Sequence, residues 1–86
     1  MFEVILSPEA QAFFAEADRP LARKLARCFA QLEREPRRHN NAKRLAGDFA
    51  GYLRYRIGDW RVVYRIDPPA QQVRVLLIAH RSQVYE

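Results

Sequence analysis

A single cysteine, Cys28, stands in a chain of 86 residues. One thiol closes no intrachain disulfide and builds no cysteine-based zinc site. No apolar run approaches the roughly 18–20 residues that a membrane-spanning helix needs. The opening MFEVILSPEA has neither the basic start nor the long apolar stretch of a signal peptide. These absences point to a cytoplasmic protein with reduced thiols and no membrane partner. Repeats and low-complexity segments are missing too, and the length suits a single domain over residues 1–86. What the chain does have is a 49% hydrophobic content, enough for one core and unlike a disordered tail.

Acidic residues are scarce in one part of the chain only. Residues 37–86 hold ten Lys+Arg against four Asp+Glu, whereas residues 1–36 hold five against six. The net charge of +5 therefore belongs to the second part. All the cations are Arg except Lys24 and Lys43. Arg presents a planar fork that matches phosphate bidentately and stacks on bases. A local surplus of this kind favours nucleic acid, an anionic membrane surface or an acidic partner.

Residues 2–6 alternate Phe2, Val4 and Leu6 on one parity and read as a strand. Ser7 as N-cap, Pro8 in the first turn and Glu9 at the positive dipole end then start a helix over 8–17. Its buried residues would be Ala10, Phe13, Phe14 and Ala17. Asp18-Arg19-Pro20 repeats the start signal. Leu21, Leu25, Cys28, Phe29 and Leu32 share one face of a second helix, which Pro36 ends. Residues 35–51 form a polar, basic connection pinned to the core by Leu45 and Phe49. The period then becomes twofold. A strand over 52–57, a Gly58-Asp59 hairpin turn and a return strand over 60–66 precede a turn at 67–70 and a last strand over 72–79. The expected fold is α+β: β-α-α-β-β-β, two N-terminal helices on one face of a largely antiparallel four-stranded sheet.

Alternation sorts the strand residues into two faces. Leu53, Tyr55, Ile57, Trp60, Val62, Tyr64 and Ile66 turn toward the helices. Arg54, Arg56, Arg61 and Arg65 are left on one open face. Like charges side by side repel, and a bound anion relieves that cost. The last strand is apolar on both parities, as expected of a strand covered on both sides. Parity groups His80 with Arg74 and Arg81 with Leu77 and Ala79, and leaves open which of His80 and Arg81 reaches the basic face.

The run LAGDFAGYLRYRIGDWRVVYRID followed by VLLIAHRSQVY resembles the RelE/ParE superfamily of bacterial and archaeal toxins. The resemblance spans essentially the whole chain, and its most specific part is RYRIGDWRVVYRI with the later HR-x-x-VY ending. It implies a type II toxin–antitoxin toxin. The RelE-like branch implies an endoribonuclease that cuts mRNA on the ribosome with no metal or cofactor. By position, Arg54 and Arg56 match the paired basic residues of the second sheet strand, and Arg61 the arginine after the hairpin. Arg81 matches the arginine closing the last strand and Tyr85 the near-terminal tyrosine. The alternative is a ParE-like inhibitor of DNA gyrase without RNase activity, since one fold carries both. The partners implied are a cognate antitoxin, mRNA and the ribosome, with operator DNA met only through the antitoxin complex.

Such cleavage uses the 2′-OH as nucleophile on the adjacent phosphorus. It needs a base, positive charge on the phosphorane oxygens and an acid for the leaving oxygen. Arg61 and Arg56 suit the charge-stabilising task. Tyr85 is either the base, if arginines lower its ordinary pKa of roughly 10, or a group that stacks on a base or holds phosphate. Arg is a poor proton carrier, which makes His80 a second candidate for proton transfer; its alternative is a strand-end His bonded to backbone. Arg37, Arg38, Lys43 and Arg44 are either a solvated loop or a second set of RNA phosphate contacts, with Arg65 as supporting charge. Cys28 reads as core.

Overall fold

Both helices begin on the expected caps. The computed structural model describes residues 1–84. β1 (Glu3–Leu6) runs into α1 (Pro8–Glu16), where Ser7 Oγ accepts the Ala10 N–H at 3.0 Å and donates to the Leu76 carbonyl at 2.6 Å. α2 (Arg19–Arg34) starts with Asp18 Oδ1 accepting the Leu21 N–H at 2.9 Å. The sheet continues through β2 (Ala42–Arg44), β3 (Leu53–Ile57), β4 (Trp60–Asp67) and β5 (Gln72–His80). Short 3₁₀ turns lie at Gly47–Phe49 and Arg81–Gln83. Among the described residues, no helix is long and apolar enough to cross a membrane.

The α+β architecture is as expected, but the sheet has five strands, not four. Their order is β1-β5-β4-β3-β2, with β1 parallel to β5 and every other pair antiparallel. The added strand, β2, lies inside the stretch read as a loop. Ala-Lys-Arg is too short and too charged to show alternation, so its pairing with Leu53–Tyr55 is what makes it a strand. Gly58, at φ 58°, takes the left-handed position of the tight β3–β4 hairpin.

The main core lies between helices and sheet. Ala10, Leu25, Cys28, Leu32, Val62, Tyr64, Val73 and Val75 are buried there, with Phe13, Phe14 and Phe29 packed around them. The Tyr64 hydroxyl is fully enclosed and donates to the Pro36 carbonyl at 2.8 Å. Burial pushes its pKa up and pushes the Cys28 thiol up to about 12. Both groups are therefore core constituents.

A second, smaller cluster occupies the opposite face. Leu45, Val63 and Val84 are buried in it, flanked by Phe49, Tyr52, Leu76, Leu77 and Ala79. Leu45 and Phe49 thus pin their segment to this cluster and not to the helix-side core. The register steps from Val63↔Leu77 to Tyr64↔Val75, leaving Leu76 as the extra residue of a β-bulge. The bulge turns Leu76 and Leu77 to the same cluster, which explains why that strand is apolar on both parities.

Candidate nucleic-acid interface

Register brings Lys43, Arg54, Arg56 and Arg61 into two adjacent rows on the face away from the helices. Directly opposed residues share a face of a sheet. Lys43 pairs with Arg54, and Arg54 with Val63; one step on, Arg56 pairs with Arg61, and Arg61 with Ala79. The rows end at the β3–β4 hairpin. There the Arg81 N–H donates to the Asp59 carbonyl at 2.8 Å, and Arg81 Nε lies 3.7 Å from Asp59 Oδ1. The hairpin tip therefore brings the start of the second 3₁₀ turn, and Arg81 with it, to the end of the arginine rows.

The four arginines differ in freedom. Arg61, expected on an open face, is only 7% exposed. Its Nη1 donates to the Gly58 carbonyl at 2.8 Å and to the Trp60 carbonyl at 3.0 Å. A guanidinium taken from water needs such acceptors, and the hairpin carbonyls supply them. Arg54 is half-buried, its Nη1 donating to the Asn41 carbonyl at 2.5 Å. That carbonyl also accepts the Arg56 N–H at 2.9 Å. Arg56 and Arg81 are exposed. The face thus offers two held guanidiniums beside two accessible ones, around the apolar floor of Val63, Leu77 and Ala79.

Three groups of expected residues fall elsewhere. Arg65 shares the face, but it is four residues along β4 from Arg61, roughly 13 Å. It opposes Arg74, and the two line a separate groove with Ile5, Pro8 and Tyr52. The basic run 37–44 is divided. Lys43 joins Arg54, whereas Arg44 pairs with Leu53 on the helix-facing parity. Arg44 borders a cleft of ≈ 390 Å³ with Arg37, Arg38 and Pro68. Arg37 is additionally 3.9 Å from Glu35 and 5.1 Å above the Phe2 ring.

His80 is also displaced, because the bulge reverses parity. It pairs with Trp60 on the helix side and packs edge-on against that indole at 5.6 Å, away from Arg74. Its Nδ1 accepts the Ser82 N–H at 3.2 Å and lies 2.9 Å from Ser82 Oγ. A ring nitrogen committed to a backbone donor is a cap for the turn. Tyr85 lies outside the described residues.

Residues that alternation missed support the rows from behind. Asn41 N–H donates to His39 Nδ1 at 3.1 Å, His39 stacks on Tyr55 at 4.9 Å, and the Tyr55 hydroxyl is 3.4 Å from His39 Nε2. Burial, above all, holds the Tyr55 phenol above its ordinary pKa. This network fixes the Asn41 carbonyl that receives Arg54. Only the HNN triplet in a basic loop hinted at it.

The family model described as ParE toxin of type II toxin-antitoxin system, parDE, matches residues 4–85. Toxin RelG of Mycobacterium tuberculosis is 37% identical over 67 residues, which are 78% of this chain and 75% of the relative. Among solved structures, the toxin-antitoxin complex RelBE2 of M. tuberculosis contains a chain similar at a TM-score of 0.79. That chain is 26% identical, with 93% of this chain and 98% of that one covered. The archaeal RelE-RelB complex of Pyrococcus horikoshii gives a TM-score of 0.81 at 20% identity, covering 96% and 98%. At that identity the likeness concerns the fold.

Proposed function

The chain belongs to the ParE toxin family of the RelE/ParE superfamily, and from that premise we propose that it is a ribosome-dependent mRNA endonuclease. It cuts RNA without metal by attack of the 2′-OH on the adjacent phosphorus, which stops translation. A cognate antitoxin neutralises it in the cytoplasm, and operator DNA is met only through that complex. The observation that carries this reading is the pair of opposed rows ending at the hairpin, Lys43–Arg54 and Arg56–Arg61, with Arg81 tied to Asp59 beside them.

Each residue has a task in the reaction. Arg61, held by two carbonyls, keeps a fixed orientation and loses little freedom when a phosphate arrives. Its permanently charged guanidinium stabilises the equatorial oxygens of the phosphorane. Arg56 and Arg81, exposed at the same end, bind the scissile phosphate and its neighbour. Arg54 and Lys43 hold the strand one row away. Tyr85 takes the 2′-OH proton, the P–O5′ bond breaks to leave a 2′,3′-cyclic phosphate, and solvent water protonates the departing 5′-oxygen. His80 has no part in the proposal, because its Nδ1 caps the terminal turn on the other side of the sheet. Arg65, with Arg74, supplies remote positive charge only, and Arg37, Arg38 and Arg44 serve as outlying RNA phosphate contacts.

The test is cleavage of mRNA on programmed ribosomes. Wild-type chain yields cut message, and Arg61→Ala and Tyr85→Phe each remove it. The second reading, a gyrase inhibitor, is favoured by the ParE description of the matching family. Intact mRNA together with blocked gyrase supercoiling would replace the first reading with the second.

A further inference from the structure

β2 stops short. Its last partner on β3 is Tyr55, opposite Ala42, and the Asn41 carbonyl takes the Arg56 N–H, so β3 has an uncovered edge from there to the hairpin. The rim of α2 stands beside this edge and leaves a cleft of ≈ 280 Å³. Lys24 and Arg27 reach it from α2, Arg56 from β3, and Asn41 and Tyr55 line it between them. An edge position is what lets Arg56 and Tyr55, whose side chains leave opposite faces of the sheet, border one cavity.

Among the described residues, no ion pair answers the charges here. Lys24 and Arg27 are three apart on a helix, a spacing at which like charges repel. Arg56 adds a third cation, and among the described residues no carboxylate lines the cleft. Among the described residues, the ion pairs join Glu35, Asp67 and Asp59 to other arginines, and none involves Lys24, Arg27 or Arg56. The lining adds neutral hydrogen-bonding groups: the Asn41 amide and the Tyr55 phenol, which burial keeps protonated and able to donate.

We propose that this edge cleft is a phosphate-binding site, distinct from the arginine rows, that holds a backbone phosphate of the nucleic-acid strand lying on them. Arg56 belongs to both places, so a strand leaving the rows passes around the free edge of β3 to Lys24 and Arg27. The strand as source of the phosphate rests on the RNA reading above; the cleft's affinity for a phosphate group does not.

Two measurements on the full chain test it, each with wild type and the Lys24→Gln/Arg27→Gln double variant. Both positions are exposed, so the variant folds, and unchanged amide resonances away from the cleft verify this. The first measurement follows binding of a non-cleavable 2′-O-methyl oligoribonucleotide against salt. One lost phosphate contact lowers the slope of log K on log salt by about 0.7. The second is a titration with inorganic phosphate, in which the Asn41 and Gly58 amide resonances move in wild type and stay still in the variant.

Both effects together establish the site and its strand ligand. Moving resonances with an unchanged slope keep the site but overturn the strand as its source, leaving a free phosphate or mononucleotide. Identical behaviour of variant and wild type in both measurements overturns the site. Arg54→Gln serves as the control for the rows: a reduced slope there, with the double variant matching wild type in both measurements, leaves the RNA reading standing and removes the cleft. Uncut message on ribosomes with both effects intact does the reverse.

Discussion

On the helix side of the sheet, Val62, Tyr64, Val73 and Val75 are exposed by no more than 1%, and two helices cover them. On the other side, among the described residues, the buried apolar side chains are Leu45, Val63 and Val84, with the buried Arg61 beside them. The first face holds polar groups only where they are satisfied, as with the Tyr64 hydroxyl on Pro36. The second keeps opposed arginines, Arg56 with Arg61 and Arg65 with Arg74, the last lying 3.9 Å from Asp67, and like charges placed so repel. Stability resides on one face, and the other is free to hold charge for a ligand.

Truncating one residue on each face tests the difference between them most directly. Tyr64→Ala should cost about 4 kcal/mol in urea unfolding, through lost contacts and an orphaned Pro36 carbonyl. Leu45→Ala in the small cluster should cost about 2 kcal/mol. Equal losses would mean that the second cluster is as much a core as the first.

Arg61→Ala should lower mRNA cleavage by roughly 10²–10³-fold, as removal of a fixed transition-state donor does. It should also lose about 1 kcal/mol of stability with the hairpin hydrogen bonds. Arg56→Ala, at an exposed position, should reduce cleavage while unfolding stays within about 0.5 kcal/mol of wild type. A comparable stability loss at Arg56 would contradict the distinction between held and accessible cations.

Alkaline pH should expose the helix-side face selectively. The unfolded Cys28 thiol loses its proton near 9.0, whereas the buried one keeps it to about 12. Over that interval the unfolded state binds fewer protons, so stability is intact below pH 9 and falls as pH rises toward 12. Urea titrations should show a loss of about 1–2 kcal/mol between pH 9 and 10.5. Cys28→Ala should flatten that slope while costing about 1 kcal/mol at neutral pH. An unchanged slope would place the alkaline sensitivity elsewhere.

The smallest effect distinguishes the two neighbours on β2. Lys43→Gln should reduce the salt slope of oligonucleotide binding by about 0.7, the loss of one phosphate contact. Arg44→Gln, turned to the other parity, should change it less. Equal changes would show that the strand reaches both sides of the sheet edge.

Much of the fold was legible because its signals are local. Ser7 and Asp18 cap the helices, Gly58 makes the hairpin, and twofold alternation assigns Leu53, Tyr55 and Ile57 to the helix side. The same alternation assigned Arg54, Arg56 and Arg61 to one face, with β3 and β4 in uninterrupted register there. It failed for His80, since one extra residue at Leu76 reverses every later parity on β5. It does not reach Lys43 and Arg44, because a three-residue strand is too short to show alternation.

Local sequence signals specify the helices, the hairpin, the class of fold and the surplus of cations near the hairpin. Each depends on residues within a few positions of one another. Tertiary structure alone decided that β1 lies parallel to β5, that β2 completes the sheet, and that Arg61 folds onto the carbonyls of its own turn. Those outcomes depend on backbone hydrogen bonds between distant strands and on what covers each face, and neither leaves a periodic trace along the chain.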